Sequence, residues 1–229
     1  TVSIGQERVG GILNLESLAR EKISSEVWHS LSEDKRETIT TAEFTVEVNA
    51  QVEKLGEAEV ATRADAVITD MAATGINTVR TYNPLTPDLL DAFARHNIRM
   101  IVGIPYHDDR DNPGPEIQNG TYRAYVEAYK DHPAILMWEF GNEYNYHPEY
   151  FKEGSLEVWY KALNDAAVMT KSIDPQHPVS TTYGYDKNAT DKKEDLEDAL
   201  QATPNVDVLG LNVYSGDDLS TPLNEVKEI

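Results

Sequence analysis

Residues 134–143 read Ala-Ile-Leu-Met-Trp-Glu-Phe-Gly-Asn-Glu, and this stretch decides the fold. A short apolar run, preceded by His132-Pro133 and followed by Gly141, is typical of a buried strand. Strands buried on both faces occur in parallel sheets, and in a barrel of such strands the chemistry lies at their carboxyl ends. Because Asn142 and Glu143 end the run, the stretch predicts a parallel strand that carries a candidate proton donor, Glu143.

Helical and extended patterns alternate on both sides of this strand. Helices are predicted at about 60–75, 86–93, 122–130, 156–170 and 195–201, and strands at 77–82, 98–104, 134–140, 179–183 and 206–213. Repeated βα units imply a parallel sheet with right-handed crossovers. The chain has 229 residues, and a (β/α)8 barrel typically has about 250. We therefore predict an α/β protein with a (β/α)8 TIM barrel that is incomplete at the carboxyl terminus.

The first 55 residues have a less regular pattern. Residues 15–31 are compatible with an amphipathic helix. Phe44, Val46 and Val48 alternate with polar residues, which predicts the first barrel strand. The expected domain organisation is an amino-terminal extension of unclear structure over residues 1–40, followed by barrel strands one to six over residues 41–229.

Composition excludes several classes of partner and site. The chain carries 20 Lys and Arg against 40 Asp and Glu, a formal charge of −20, which disfavours nucleic acids and anionic membranes. It has no cysteine, so disulfides and Cys-based zinc sites are excluded. No apolar run approaches the roughly 20 residues of a membrane helix. We expect no cofactor and no metal: Asp108, Asp109, Asp111 and Asn112 share a loop, but their spacing fits no EF-hand and Arg110 lies among them.

Each strand of the periodic region is followed by polar or aromatic residues. Since all carboxyl ends of a parallel barrel face the same side, these residues are expected around one mouth: Arg80, Tyr82, Tyr106, His107, Asn142, Glu143, Tyr183, Tyr185, Asn212 and Tyr214. Arginine, histidine, asparagine, glutamate and tyrosine together offer an acid, hydrogen-bond donors and stacking surfaces. The mouth is therefore the predicted functional site.

Four segments resemble the clan A retaining glycoside hydrolases, especially families 2 and 5 and related β-glucan hydrolases and transglycosylases. Gly141-Asn142-Glu143, after a His-Pro-x-Ile-x-x-Trp strand, resembles their acid/base motif. Residues 75–84 resemble their second strand, residues 174–179 their fifth and residues 207–214 their sixth. The segments occur in the same order as in that clan, and the resemblance covers about residues 57–229.

The resemblance implies a role for each of these residues. Glu143 would be the general acid/base and Asn142 would bind the sugar 2-hydroxyl. Arg80 and Tyr214 would both contact a second, nucleophilic carboxylate. His107 would line the sugar site nearest the reaction. Stacking on sugar faces is expected of Tyr82 and Tyr106, with Tyr144, Tyr185 and Trp138 as further aromatic candidates, although Trp138 lies inside the strand and is expected in the core.

The nucleophile is the missing part of this resemblance. Retaining enzymes of the clan carry a second glutamate after strand seven, about 5–5.5 Å from the first. We recognise no seventh strand, and neither Glu225 nor Glu228 is assigned that role, so the nucleophile is expected beyond Ile229. The predicted function is hydrolysis or transglycosylation of β-linked oligosaccharides or polysaccharides with retention, in a secreted or periplasmic location. The alternative is a non-catalytic carbohydrate-binding barrel, and the oligomeric state is open.

Overall fold

The computed structural model describes residues 2–4, 12–107, 114–151, 154–185, 192–214, 219–220 and 223–224. Its strands are β1 (Val2–Ile4), β2 (Thr78–Thr81), β3 (Arg99–Ile104), β4 (Ile135–Asn142), β5 (Val179–Tyr185) and β6 (Val208–Val213). Its α-helices are α1 (Leu15–Ser30), α2 (Glu33–Thr38), α3 (Thr41–Val52), α4 (Glu57–Ala73), α5 (Pro87–Arg95), α6 (Tyr122–Tyr129), α7 (Leu156–Ile173) and α8 (Lys192–Ala202). Two 3-10 turns, Tyr144–Tyr146 and Pro148–Tyr150, follow β4.

The strands form one six-stranded sheet in the sequential order β1 to β6, and every neighbouring pair is parallel. At least one helix lies between consecutive strands in the chain. Sequential parallel strands with helical crossovers are the (β/α)8 pattern. The predicted α/β class and the incomplete barrel are thus confirmed, with six parallel strands in the described part of the chain. No described helix is long and apolar enough to span a membrane.

The prediction of a first strand at Phe44–Val48 is wrong, because these residues lie in α3. Thr40 caps the helix: its hydroxyl accepts from the Glu43 N–H at 3.3 Å, and the Glu43 carboxylate accepts from the Thr40 N–H at 2.9 Å. This reciprocal capping box marks a helix start. Val48 and Val52, four residues apart, are the buried side chains of the helix. The helical spacing of the buried residues therefore decides the structure of this segment, and the short strand-like alternation does not.

The amino-terminal segment contributes one strand to the sheet and a helix that packs against neighbouring helices. The predicted helix over residues 15–31 is present as α1, which begins at the capping residue Asn14 and packs against α3 and α4. Val2–Ile4 pairs in parallel with β2. The division of the chain at residue 40 stays a prediction.

A buried polar cluster joins β4 to the segment before β5. Trp138 is fully buried, and its indole N–H donates to the Asp174 carboxylate at 2.8 Å. His177 Nδ1 lies 2.8 Å from the same carboxylate, and the Gln176 N–H donates to it at 3.1 Å. Burial raises the pKa of Asp174, but the hydrogen bonds from Trp138, His177 and the Gln176 N–H lower it further, so the net shift is downward. Trp138 is therefore a core residue.

This cluster predicts an acid-dependent loss of stability. Since the pKa of Asp174 is lowered in the folded state, its contribution is present above the ordinary value of about 3.9 and is lost as the pH falls through the folded pKa. We expect Asp174→Asn to lower the free energy of unfolding by about 1–3 kcal/mol at pH 7, and its difference from the wild type to shrink as the pH falls through the lowered pKa of Asp174. Thermal melts from pH 7 to 2.5 test this, with Asp165→Asn on the exposed face of α7 as control. Parallel curves for wild type and Asp174→Asn would contradict it.

Candidate active site

The centre of the mouth is a buried ion pair between β2 and β4. Arg80 Nε donates to both carboxylate oxygens of Glu139, at 2.8 and 2.7 Å, and Arg80 Nη2 donates to Oε1 as well. The Thr182 hydroxyl on β5 donates to the same Oε1 at 2.7 Å. Burial lowers the pKa of Arg80, but the hydrogen bond and charge of Glu139 raise it by more, so the guanidinium stays protonated. The described partner of Arg80 is therefore a carboxylate on β4.

Asn142 joins this pair to the sheet's carboxyl end. Its Oδ1 accepts from Arg80 Nη2 at 2.9 Å and from Asn212 Nδ2 at 3.3 Å. The strand register explains the meeting, because Asn142 lies opposite Thr182 on β5, and Asn212 lies opposite Gly184, two residues further along β5. The structure thus brings Arg80 and Asn142 together as the sequence predicts, and adds Asn212.

The turn after β4 gives Glu143 an unusual backbone. Gly141 has φ +71°, and a Cβ there would lie 2.7 Å from the Trp159 ring, so only glycine fits. Glu143 itself has φ +55° in the left-handed region, which is rare for residues with a side chain. Its N–H donates to the Thr182 carbonyl at 2.8 Å, and its carbonyl accepts from the Tyr146 N–H at 2.9 Å. Backbone strain of this kind clusters at functional sites.

The strain at Glu143 predicts an order of stability among its variants. Glycine adopts the left-handed region without the steric cost of about 1–2 kcal/mol that other residues meet, and part of this gain is offset by entropy in the unfolded chain. We therefore expect Glu143→Gly to be more stable than Glu143→Ala by about 1 kcal/mol, or about 2–4 °C in Tm. Both variants lack the carboxylate, so thermal melts of the two isolate the backbone. An alanine variant of equal or higher Tm would contradict the strain.

Tyr214 contacts the candidate acid directly. Its hydroxyl donates to Glu143 Oε1 at 2.5 Å, and this hydrogen bond, together with burial and the Glu143 charge, raises the pKa of Tyr214 to about 12. Tyr214 is 60% exposed, so the pair lies at the open side of the mouth. The resemblance predicts that Tyr214 donates to the nucleophile, whereas its described partner is Glu143.

The predicted aromatic residues fall into two groups. Tyr82 lies beside Arg80, with 4.8 Å between the guanidinium carbon and the ring centroid. Tyr106 packs edge-on against Phe151 and Trp159, and His107 lies 5.7 Å from the Tyr106 ring. Tyr82 thus adjoins the ion pair, whereas Tyr106 and His107 belong to an aromatic cluster beside the turn after β4.

Two of the further aromatic candidates are buried, Tyr185 at 2% exposure and Trp138 at 0%, so neither offers a stacking face. Tyr144 packs against Trp159 with 4.8 Å between ring centroids, and its hydroxyl accepts from the Tyr106 N–H at 3.1 Å. Tyr144 therefore braces the turn after β4.

Glu139 and Thr182 are the residues that sequence reasoning missed. A signal for Glu139 was present, since a glutamate inside an apolar strand is almost never buried without a partner. Arg80 on β2 supplies that partner, although the strand register does not place the two residues at the same level of the sheet. Thr182 left no such signal, because threonine is common in strands.

The described residues contain no group of three or more histidine, aspartate or glutamate side chains that could hold a metal ion. The acidic loop at Asp108–Asn112 lies outside the described residues.

Comparison with known proteins gives partial relatives. No family model matches the chain. It is 31% identical over 135 residues to mannan endo-1,4-beta-mannosidase F of Aspergillus clavatus, which covers 48% of this chain and 29% of that protein. It is 32% identical over 111 residues to a probable mannan endo-1,4-beta-mannosidase F of Aspergillus flavus, covering 42% and 23%. The chain thus spans less than a third of the length of these relatives.

A solved structure of the same fold is among the matches. It is β-glucuronidase 2 of Bacteroides uniformis, covalently bound to cyclophellitol-6-carboxylate aziridine, which matches 72% of this chain and 20% of its own with a TM-score of 0.50 and 16% identity. Together with the mannosidase relatives, it supports a relationship with the clan A TIM-barrel glycoside hydrolases. The resemblance found in four sequence segments is thereby confirmed.

Proposed function

We propose that this chain carries the acid/base half of a retaining glycoside hydrolase acting on a β-linked polysaccharide. The observation that carries the proposal is the placement of Glu143 at the carboxyl end of β4, bonded to Tyr214 and directly after Asn142, which Arg80 holds. The mannosidase relatives make β-mannan the first substrate to test. A polymeric substrate also favours a secreted or periplasmic location.

In the first step, Glu143 donates its proton to the glycosidic oxygen as the bond from the anomeric carbon to that oxygen breaks. A second carboxylate attacks the anomeric carbon and forms a glycosyl-enzyme. In the second step, Glu143 takes a proton from water or from a sugar hydroxyl, whose oxygen displaces the carboxylate. Two inversions give net retention, and the choice between water and sugar separates hydrolysis from transglycosylation.

Glu139 is not the proposed nucleophile. Its side chain is 4% exposed, and both its carboxylate oxygens accept hydrogen bonds from Arg80, with Thr182 as a further donor. A nucleophile needs a free lone pair aimed at the anomeric carbon and room for a sugar. We therefore propose that the nucleophile lies outside the residues that the structure describes.

Mechanism-based labelling tests this function. We would incubate the chain, and a form extended past Ile229, with 2-fluoro glycosides of mannose, glucose and glucuronic acid that bear good leaving groups, and record intact masses. We expect one covalent adduct on the extended form, on a glutamate after the next strand. Failure of both forms to label or to hydrolyse β-mannan, with oligosaccharide binding intact, would instead favour the carbohydrate-binding barrel.

A further inference from the structure

Glu139 is a buried carboxylate that the proposed chemistry does not consume. It is 3% exposed and lies in the middle of β4, where it accepts hydrogen bonds from Arg80 and from Thr182. Burying a charge is costly unless it is paired and hydrogen-bonded. We therefore expect the Arg80–Glu139 ion pair, whose carboxylate lies three residues before Asn142, to have a role in the site.

The pair dictates how the Asn142 amide is turned. Arg80 Nη2 donates both to Glu139 and to Asn142, so one nitrogen joins the two side chains. Because a guanidinium has only donors, Asn142 must present its oxygen to Arg80. The Nδ2 amine takes part in none of the hydrogen bonds between described residues, and Asn142 is only partly buried. The amine is thus the donor that remains for a ligand.

A second link runs through Thr182. Its hydroxyl donates to Glu139 Oε1 at 2.7 Å, and its carbonyl accepts from the Glu143 N–H at 2.8 Å. Glu139 is therefore connected to both residues of the Asn142-Glu143 pair, through Arg80 on one side and through Thr182 on the other. It touches neither of the atoms expected to meet substrate.

We propose that Glu139 is a positioning residue: by holding Arg80, it fixes the Asn142 amide with its N–H donors turned to the sugar. The substrate group recognised in this way is a hydroxyl oxygen beside the anomeric carbon. The inference rests on the proposed function for the identity of the ligand, whereas the orientation of the amide follows from its two donors, Asn212 and the Arg80 that Glu139 holds.

Glu139→Gln is the sharpest perturbation of this arrangement. Glutamine has the same shape, but it carries one acceptor oxygen, and its amine would face the donors of Arg80. Arg80 would lose the charge that holds it, and Asn142 would keep only Asn212 as a fixed donor to its oxygen. Glu116→Gln is the matched control, because Glu116 is also a buried glutamate at 2% exposure and its carboxylate accepts from Asn119.

The first test reads the amide directly and needs no turnover. We would measure the order parameter of the Asn142 side-chain N–H pair by 15N relaxation, with the signal assigned by its loss in Asn142→Ala. We expect a rigid amide in the wild type, an order parameter below about 0.6 in Glu139→Gln, the range of flexible groups, and the wild-type value in Glu116→Gln. An unchanged order parameter in Glu139→Gln would overturn the proposal.

A milder variant covers the case in which Glu139→Gln does not fold. Thr182→Val removes one donor to Glu139 but keeps the ion pair, so the order parameter of the Asn142 amide should fall by less than in a folded Glu139→Gln. A folded Thr182→Val with an unchanged order parameter, alongside an unfolded Glu139→Gln, would reduce Glu139 to a structural role and contradict positioning.

The second test uses turnover in the form of the protein that carries the nucleophile. For a substrate with a 2-hydroxyl, Glu139→Gln is expected to lower kcat/KM by about 100-fold, the scale of a small displacement of a reacting group, whereas a matched 2-deoxy substrate should lose far less. Equal losses on both would overturn the proposal. Inactive wild type would refute the proposed function instead, and the order parameter of the Asn142 amide would still decide the role of Glu139.

Discussion

Glu143→Gln is expected to lower the rate of glycoside cleavage by about 10²–10⁴-fold on substrates with poor leaving groups, the range for loss of a general acid. Glutamine keeps the shape of the side chain and an oxygen that can accept from the Tyr214 hydroxyl. It has no acidic proton to give to the glycosidic oxygen. The dinitrophenolate group of dinitrophenyl glycosides departs without protonation. The first step on these substrates should therefore stay close to the wild-type rate.

The measurement is a pre-steady-state burst, because the second step also needs Glu143, as base. We expect a full burst of phenolate followed by slow turnover, in the protein that carries the second carboxylate. Glu149→Gln, in the exposed 3-10 turn after β4 and paired with His147, is the control and should behave as wild type. If the burst on activated substrates falls as much as the cleavage of substrates with poor leaving groups, Glu143 is not the general acid.

Arg80→Met is expected to lower the free energy of unfolding by about 3–5 kcal/mol, since it leaves the Glu139 charge buried without its partner. In a chain of this size that corresponds to a fall in Tm of about 6–20 °C. The double variant Arg80→Met with Glu139→Leu should recover much of the loss, because an apolar pair carries no lone charge.

Chemical denaturation of the two single variants and the double variant gives the coupling energy. The exposed pair Lys171–Asp207 supplies the control, and Lys171→Met should cost less than about 1 kcal/mol. If Arg80→Met is as stable as Lys171→Met, the Arg80–Glu139 ion pair does not stabilise the folded protein in the way this account requires.

Much of the barrel was predictable because its signals are local. From β2 onward each strand is a short apolar run between turn residues, and each helix shows a 3.6-residue period, so type and order follow from neighbouring residues. The first 55 residues were harder. Phe44, Val46 and Val48 alternate over only five residues, and the capping pair Thr40 and Glu43, which decides for a helix, lies outside that window.

The candidate site was predictable as a list but less so as a set of contacts. Strand ends placed Arg80, Asn142, Glu143 and Tyr214 at one mouth, as found. The sequence did not show which described residues these side chains contact, because such contacts depend on register across strands: Arg80 reaches Glu139 on β4, and Tyr214 reaches Glu143. Such pairings join residues 59 and 71 positions apart in the chain, and local periodicity carries no information about them.

The central claim is that Glu143 is the acid/base of a retaining enzyme, and chemical rescue of Glu143→Ala tests it most directly. Azide would be added to that variant, in the protein carrying the nucleophile, with an activated β-glycoside as substrate. If Glu143 is the acid/base, azide attacks the glycosyl-enzyme and the product is the β-glycosyl azide, identified by NMR. An α-glycosyl azide would make Glu143 the nucleophile, and wild-type turnover of unactivated substrate without azide would contradict any catalytic role for it.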